Sequence, residues 1–153
     1  MEITHTPPSA TIDSIYRYPV KGLTPEPLPR AVLAPGQTLL ADRRYAIENM
    51  VGAPVHPLRF RANVYVEGWP AWSEFDLVDR TLAIGATRLK VVKRIVRCAA
   101  VNVDPDTAQR DLAIPQALQR RLGHGDCGIY AEVITGGTIS DGEVIAAEQP
   151  ELL

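Results

Sequence analysis

Apolar positions along this chain fall in short runs, many of them alternating with polar ones and bounded by Pro or Gly, which is the pattern of strands and turns. Leu89 to Val96, LKVVKRIV, is rich in β-branched residues and reads as a strand. Leu58 to Val66, LRFRANVYV, alternates most regularly. Phe60, Ala62, Val64 and Val66 would share one face, and Arg59, Arg61, Asn63 and Tyr65 the other. Thr11 to Tyr18 alternates more loosely. Pro29 to Ala34 and Asp42 to Ile47 read as further strands, with Pro35-Gly36-Gln37 as a turn. Thr81 to Ile84 and Thr87 to Val92 predict a hairpin about Gly85. Cys127 to Ile134 predicts another strand, and Gly136-Gly137 turns the chain into Thr138 to Ala147. A helix is predicted only over Asp111 to Leu122. Pro115 suits its first turn, Ala117, Leu118 and Leu122 make a partial apolar stripe, and Gly123 stops it. Roughly eight to ten short strands and one helix predict a mainly β fold, a barrel or sandwich with a helical insertion.

Composition narrows this little. A chain of 153 residues, 46% hydrophobic and 22% charged, is long enough for one domain with a real core. Its net charge of −2 gives no basic excess for nucleic acid. No apolar run approaches the roughly 20 residues of a membrane span, and the first residues lack a basic-then-apolar leader. The two cysteines, Cys98 and Cys127, form no CxxC pair. A soluble protein of the reducing cytoplasm is expected.

The chemistry concentrates where the Leu89–Val96 run ends. Cys98 follows Arg97 there, and Lys90, Lys93 and Arg94 are close in sequence. Neighbouring cations favour the thiolate, the form that ligates a soft metal or attacks an electrophile. A lone cysteine is more often a small buried hydrophobe, and basic residues on a strand are usually its wet face. Asp104-Pro105-Asp106-Thr107 reads as a turn. Lys21 beside Gly22 can offer an ammonium and a backbone N–H to an anion, or be a solvated loop lysine. Arg43 next to Asp42 can grip a phosphate two-pronged, or be structural. Arg61 and Asn63 suit an anion with hydrogen-bonding edges, or a solvent face. His124 and Cys127 have metal-pair spacing, but a structural zinc site needs four ligands and no second pair is in view.

Three blocks of the chain resemble the MOSC domains, named for the C-terminal domain of molybdenum-cofactor sulfurases. They are IYRYPVKGLTPEPL with LADRRYAI, LRFRANVYVEG with AWSEFDL, and RCAAVNVDPDTAQRD with CGIYAEVITGGTISDGEVI. The resemblance implies a MOSC-like β-barrel over residues 50–153, part of an N-terminal β-barrel extension over 11–49, and a flexible N-terminus over 1–10. It also implies a molybdenum cofactor of the molybdopterin type. Cys98 matches the molybdenum ligand of the amidoxime-reducing members. Lys21, Arg43, Arg61, Asn63 and Arg97 match the residues that would hold phosphate and pterin. Relatives of this kind carry several further strands between the first two blocks. Here Leu58 follows closely on Ile47, with the seam near Met50-Val51. Gly22 stands where many relatives have Ser, and Val101 where they often have Thr, so two hydroxyl donors are gone.

The resemblance implies an oxidoreductase of N-hydroxylated or related N- or S-oxygenated compounds. Electrons would come from a separate ferredoxin- or flavoprotein-type donor, because the chain has no ferredoxin-type cysteine set. Two alternatives stand beside it. One is a sulfur carrier through a Cys98 persulfide, with no pyridoxal phosphate site of its own. The other is a non-catalytic, shortened barrel acting as a binding module, where an open sheet edge would favour dimers.

Overall fold

The computed structural model describes residues 9–19, 24–37, 46–48 and 55–149. The expectations for Lys21, Arg43 and the Met50-Val51 seam lie outside them. Ten strands are seen among the described residues: β1 (Ala10–Arg17), β2 (Glu26–Leu28), β3 (Arg30–Leu33), β4 (Ala46–Glu48), β5 (Val64–Glu67), β6 (Thr81–Ile84), β7 (Thr87–Val96), β8 (Asp126–Thr135), β9 (Gly137–Ser140) and β10 (Val144–Ala147). One α-helix, α1 (Ile114–Leu122), and three 3-10 turns, Pro57–Phe60, Ser73–Leu77 and Ala99–Asn102, complete the set. The mainly β expectation holds.

Eight strands form one sheet in the order β10-β6-β7-β8-β4-β5-β1-β2, and β10 also pairs with β1, so the sheet curls round on itself into a barrel. Every pairing is antiparallel except β4 with β5. The β3–β9 ribbon stands as a separate two-stranded sheet. In β1 the register shifts between Ile12 and Ser14. That bulge turns Ile12 and Ile15, rather than every second residue, into the core. It is why the alternation there looked loose. The larger cluster of buried residues fills the barrel and includes Ile12, Ile15, Leu82, Ile84, Val91, Ile129, Ile139 and Ile145. A smaller one gathers Phe60, Ala62, Tyr65, Val101, Ile114, Leu118 and Cys127 beneath the 3-10 turns and α1.

The strand expected over Leu58–Val66 is not formed. Its first half is the 3-10 turn Pro57–Phe60, and only Val64–Glu67 is strand. Pro57 pre-sets a helical φ in the first turn, and His56 Nδ1 accepts the Leu58 N–H at 3.2 Å as a cap. Arg61 then takes the left-handed conformation at φ 52°, ending any extended run. The shared face of Arg59, Arg61, Asn63 and Tyr65 goes with it. The stretch Thr138–Ala147 is likewise two strands, broken at Asp141-Gly142, where Gly142 has φ 81°. The hairpin about Gly85 forms as expected. The helix begins at Ile114 rather than Asp111, because the buried Asn102 side chain accepts the Ile114 N–H at 2.7 Å and sets the start there.

Candidate functional site at the end of strand β7

β7 and β8 run together until Val96 meets Asp126, and the Arg97 N–H still bonds Gly125 O at 2.9 Å. The chain then leaves the sheet. Cys98, with extended backbone, stands at the head of the Ala99–Asn102 turn, where its carbonyl accepts the Val101 N–H at 3.3 Å. Its side chain is exposed, whereas Cys127 is buried in the smaller cluster. So Cys98 is not the small buried hydrophobe; Cys127 is.

The four cations grouped with Cys98 by sequence are committed to other partners. Lys90 Nζ donates to Asp79 O. Lys93 lies 5.4 Å over the Tyr130 ring. Arg94 stacks 3.9 Å over Phe75 and pairs with Asp126 at 3.0 Å. The Arg97 guanidinium turns inward, donating to Cys127 O at 2.8 Å and Phe60 O at 2.9 Å. It thereby ties β8 to the end of the Pro57–Phe60 turn.

That turn delivers two more of the predicted residues. Arg61 is half-buried, its guanidinium 4.4 Å over the Tyr18 ring. Asn63 is buried and donates through Nδ2 to Tyr16 O at 3.1 Å, while its own carbonyl accepts the Tyr16 N–H. Tyr18 donates to Ala62 O at 2.8 Å. Tyr65 donates to Pro57 O at 2.8 Å and accepts the Ala62 N–H at 3.2 Å. Burial above all holds the Tyr65 phenol above its ordinary pKa, so it stays a neutral donor. These tyrosine hydroxyls hold the backbone of 57–63, and with it the direction of Arg61.

Of the expected polar face, Asn63, Tyr65 and Arg59 are all buried, and the departure is greatest at Arg59 because it carries a charge. Arg59 was expected on a polar strand face, yet its side chain is only 4% exposed. Its guanidinium makes a two-pronged pair with Asp111, at 2.7 and 2.8 Å, and reaches Asp104 at 3.2 Å. Taking a guanidinium out of water costs several kcal/mol, and only such fork pairing offsets it. Arg59 and backbone N–H groups hold both carboxyls below the usual carboxylate range. At Asp111 the Arg59 hydrogen bond is the larger cause, and at Asp104 the Thr107 and Asp106 N–H groups are. Those two N–H bonds, 2.9 and 2.8 Å to Asp104 Oδ1, close the turn expected at Asp104–Thr107. No local signal marked Arg59, because its partners lie 45 and 52 residues further along the chain.

The arrangement can therefore do two things. It presents one exposed thiol at a fixed turn, and it backs that turn with guanidinium groups of defined direction. A soft thiolate fits a soft metal, and a fixed guanidinium fits a phosphate. Among the described residues no cluster of three His, Cys, Asp or Glu stands ready to hold a metal.

A family model described as MOSC domain matches residues 30–146. Among solved structures, the chain is similar to the YuaD protein from Bacillus subtilis at 16% identity and TM-score 0.71, covering 92% of this chain and 97% of that one. It is also similar to YiiM from Geobacillus stearothermophilus at 17% identity and TM-score 0.65, covering 92% and 75%. YiiM from Escherichia coli matches at 14% and 0.62, covering 93% and 70%. No curated protein matches. Identities this low speak for the fold alone.

Proposed function

The chain belongs to the MOSC domain family, and from that premise we propose that it binds a molybdopterin-type molybdenum cofactor through Cys98. The bound protein would reduce N-hydroxylated or related N- or S-oxygenated compounds, with electrons from a separate ferredoxin- or flavoprotein-type donor. The observation that carries this reading is the exposure of Cys98 at the end of β7, next to Arg97 and on a turn that packs against Pro57–Phe60, the turn leading to Arg61 and Asn63. When bound, the cofactor would supply two-electron oxygen-atom chemistry at its metal.

The chain's own residues have narrower tasks. Cys98 offers the soft thiolate ligand. Arg61, oriented by the Tyr18 ring, offers a fixed charge for a phosphate. Asn63 and Arg97 bond backbone carbonyls, and in this reading they shape the cradle from beneath. Lys21 and Arg43 complete the proposed set from outside the described residues. No described helix is long and apolar enough to cross a membrane. A cytoplasmic setting is part of the proposal.

The test is molybdenum and pterin content after co-expression with cofactor biosynthesis, for the wild type and Cys98→Ala. Near-stoichiometric molybdenum is expected in the wild type, falling in the variant by at least the roughly tenfold that loss of even a partner of a metal ligand costs. Equal molybdenum in both would remove Cys98 as the ligand. The exposure of Cys98 equally suits a sulfur carrier. No molybdenum, together with one added sulfur on Cys98 after reaction with a cysteine desulfurase, would favour that reading instead.

A further inference from the structure

Among the described residues, those of the proposed cofactor site sit on two segments far apart in sequence, 57–63 with Arg61 and Asn63, and 97–103 with Arg97 and Cys98. The loop 104–111 follows directly from the second. Its ends are drawn together by the Val103–Arg110 bridge and by the Asp104 N–H to Gln109 O bond at 2.8 Å. Asp104 stands at one end of this loop and Asp111 at the other. Arg59, on the first segment, holds both. Asn102 O accepts the Asp111 N–H at 3.1 Å, so the grip on Asp111 passes directly to the turn headed by Cys98. Next to Arg59, His56 Nε2 lies 3.6 Å from Asp106, the loop's third carboxylate.

We propose that Arg59 is a positioning residue for Cys98: by gripping both ends of the 104–111 loop it sets where the Cys98 turn stands relative to Arg61 and Asn63. Its functional meaning rests on the reading of Cys98 as metal ligand, but the clasp is measurable with no metal present. The fork geometry matters. One guanidinium reaches three carboxylate oxygens on two residues. A lysine ammonium, as a point charge, cannot reproduce the parallel pair to Asp111. Asparagine at 111 leaves one acceptor oxygen where the fork needs two.

Hydrogen exchange of the cofactor-free protein, read peptide by peptide, tests this in Arg59→Met, Arg59→Lys and Asp111→Asn. Molybdenum content of the co-expressed proteins is measured in parallel. The Val101, Val103, Asp104 and Asp111 amides are all bonded in the wild type. Peptides over 98–112 are expected to exchange at least about tenfold faster in Arg59→Met and Asp111→Asn, with β7 and β8 unchanged and Arg59→Lys intermediate. Molybdenum content should fall by a similar factor. Unchanged exchange over 98–112 in both variants would overturn the clasp. So would acceleration spread evenly over the barrel strands, which would make Arg59 a general stabiliser. A loosened loop with full molybdenum content would overturn its positioning of Cys98. If the wild type itself takes up no molybdenum, the cofactor reading fails, while the exchange data still decide the clasp.

Discussion

Cys98 and Arg59 show which residues can be read from sequence and which cannot. The place of Cys98 in the chain was legible, since a β-branched run ends just before it and an Asp-Pro turn follows, but its exposure was not, because a lone cysteine carries no local mark of whether it faces core or solvent. The partners of Arg59 and Arg97 were not legible either, because an arginine's long stem lets its head turn inward or outward with no change in local pattern. Arg97 turned in to two carbonyls and Arg59 to two carboxylates. The carboxylates give the clasp a pH dependence with a definite sign. Asp104 and Asp111 titrate lower in the folded chain than in the unfolded one. Their contribution is therefore complete above the ordinary carboxylate range and is lost as pH falls towards the lowered folded values. The Tm gap between wild type and Asp111→Asn should be widest near neutral pH and close in acid. A gap that stays constant down to that range would mean the fork adds nothing to the folded state.

At the scale of elements, the sequence marked turns better than strand ends. Gly36, at φ 71°, and the 3.2 Å bond from the Gln37 N–H to Ala34 O confirm the turn expected at Pro35-Gly36-Gln37. Gly123 ends α1 with φ 76° and its N–H on Gln119 O. Alternation failed over Leu58–Val66 because the proline and cap that open a 3-10 turn outweigh a period-two pattern. Gly136 carries a further constraint, set by crowding: a Cβ there would lie 2.6 Å from Leu33 O, a backbone atom. Gly136→Ala must push the start of β9 away from the end of β3, which overpacking data put at about 1–3 kcal/mol. For a domain of this size each kcal/mol lowers Tm by roughly 2–4 °C. An unchanged Tm in a thermal scan would show that the β3–β9 ribbon yields freely.

On the scale of the whole molecule, the two buried clusters divide the work. The barrel cluster draws on β1, β3, β5, β6, β7, β8, β9 and β10, so it is braced on several sides. The smaller cluster lies under α1 and the turns that carry Arg61 and Cys98, elements held by fewer ladder bonds. Local opening follows such differences, so the site layer should loosen before the barrel. Leu118→Ala removes a buried side chain from the smaller cluster, at about 2–5 kcal/mol for a core leucine. Its loss should fall first on exchange over 98–122, and equal acceleration in β6 and β7 would show one cooperative unit. The chain's two tryptophans turn this into an optical question. Trp69 is buried in the barrel cluster, while Trp72 packs against the other, with its ring 6.3 Å from His124. Neighbours on one turn thus light two different rooms. In Trp69→Phe the remaining emission reports the site layer, in Trp72→Phe the barrel, and the order in which the two fade with denaturant gives the order in which the layers let go.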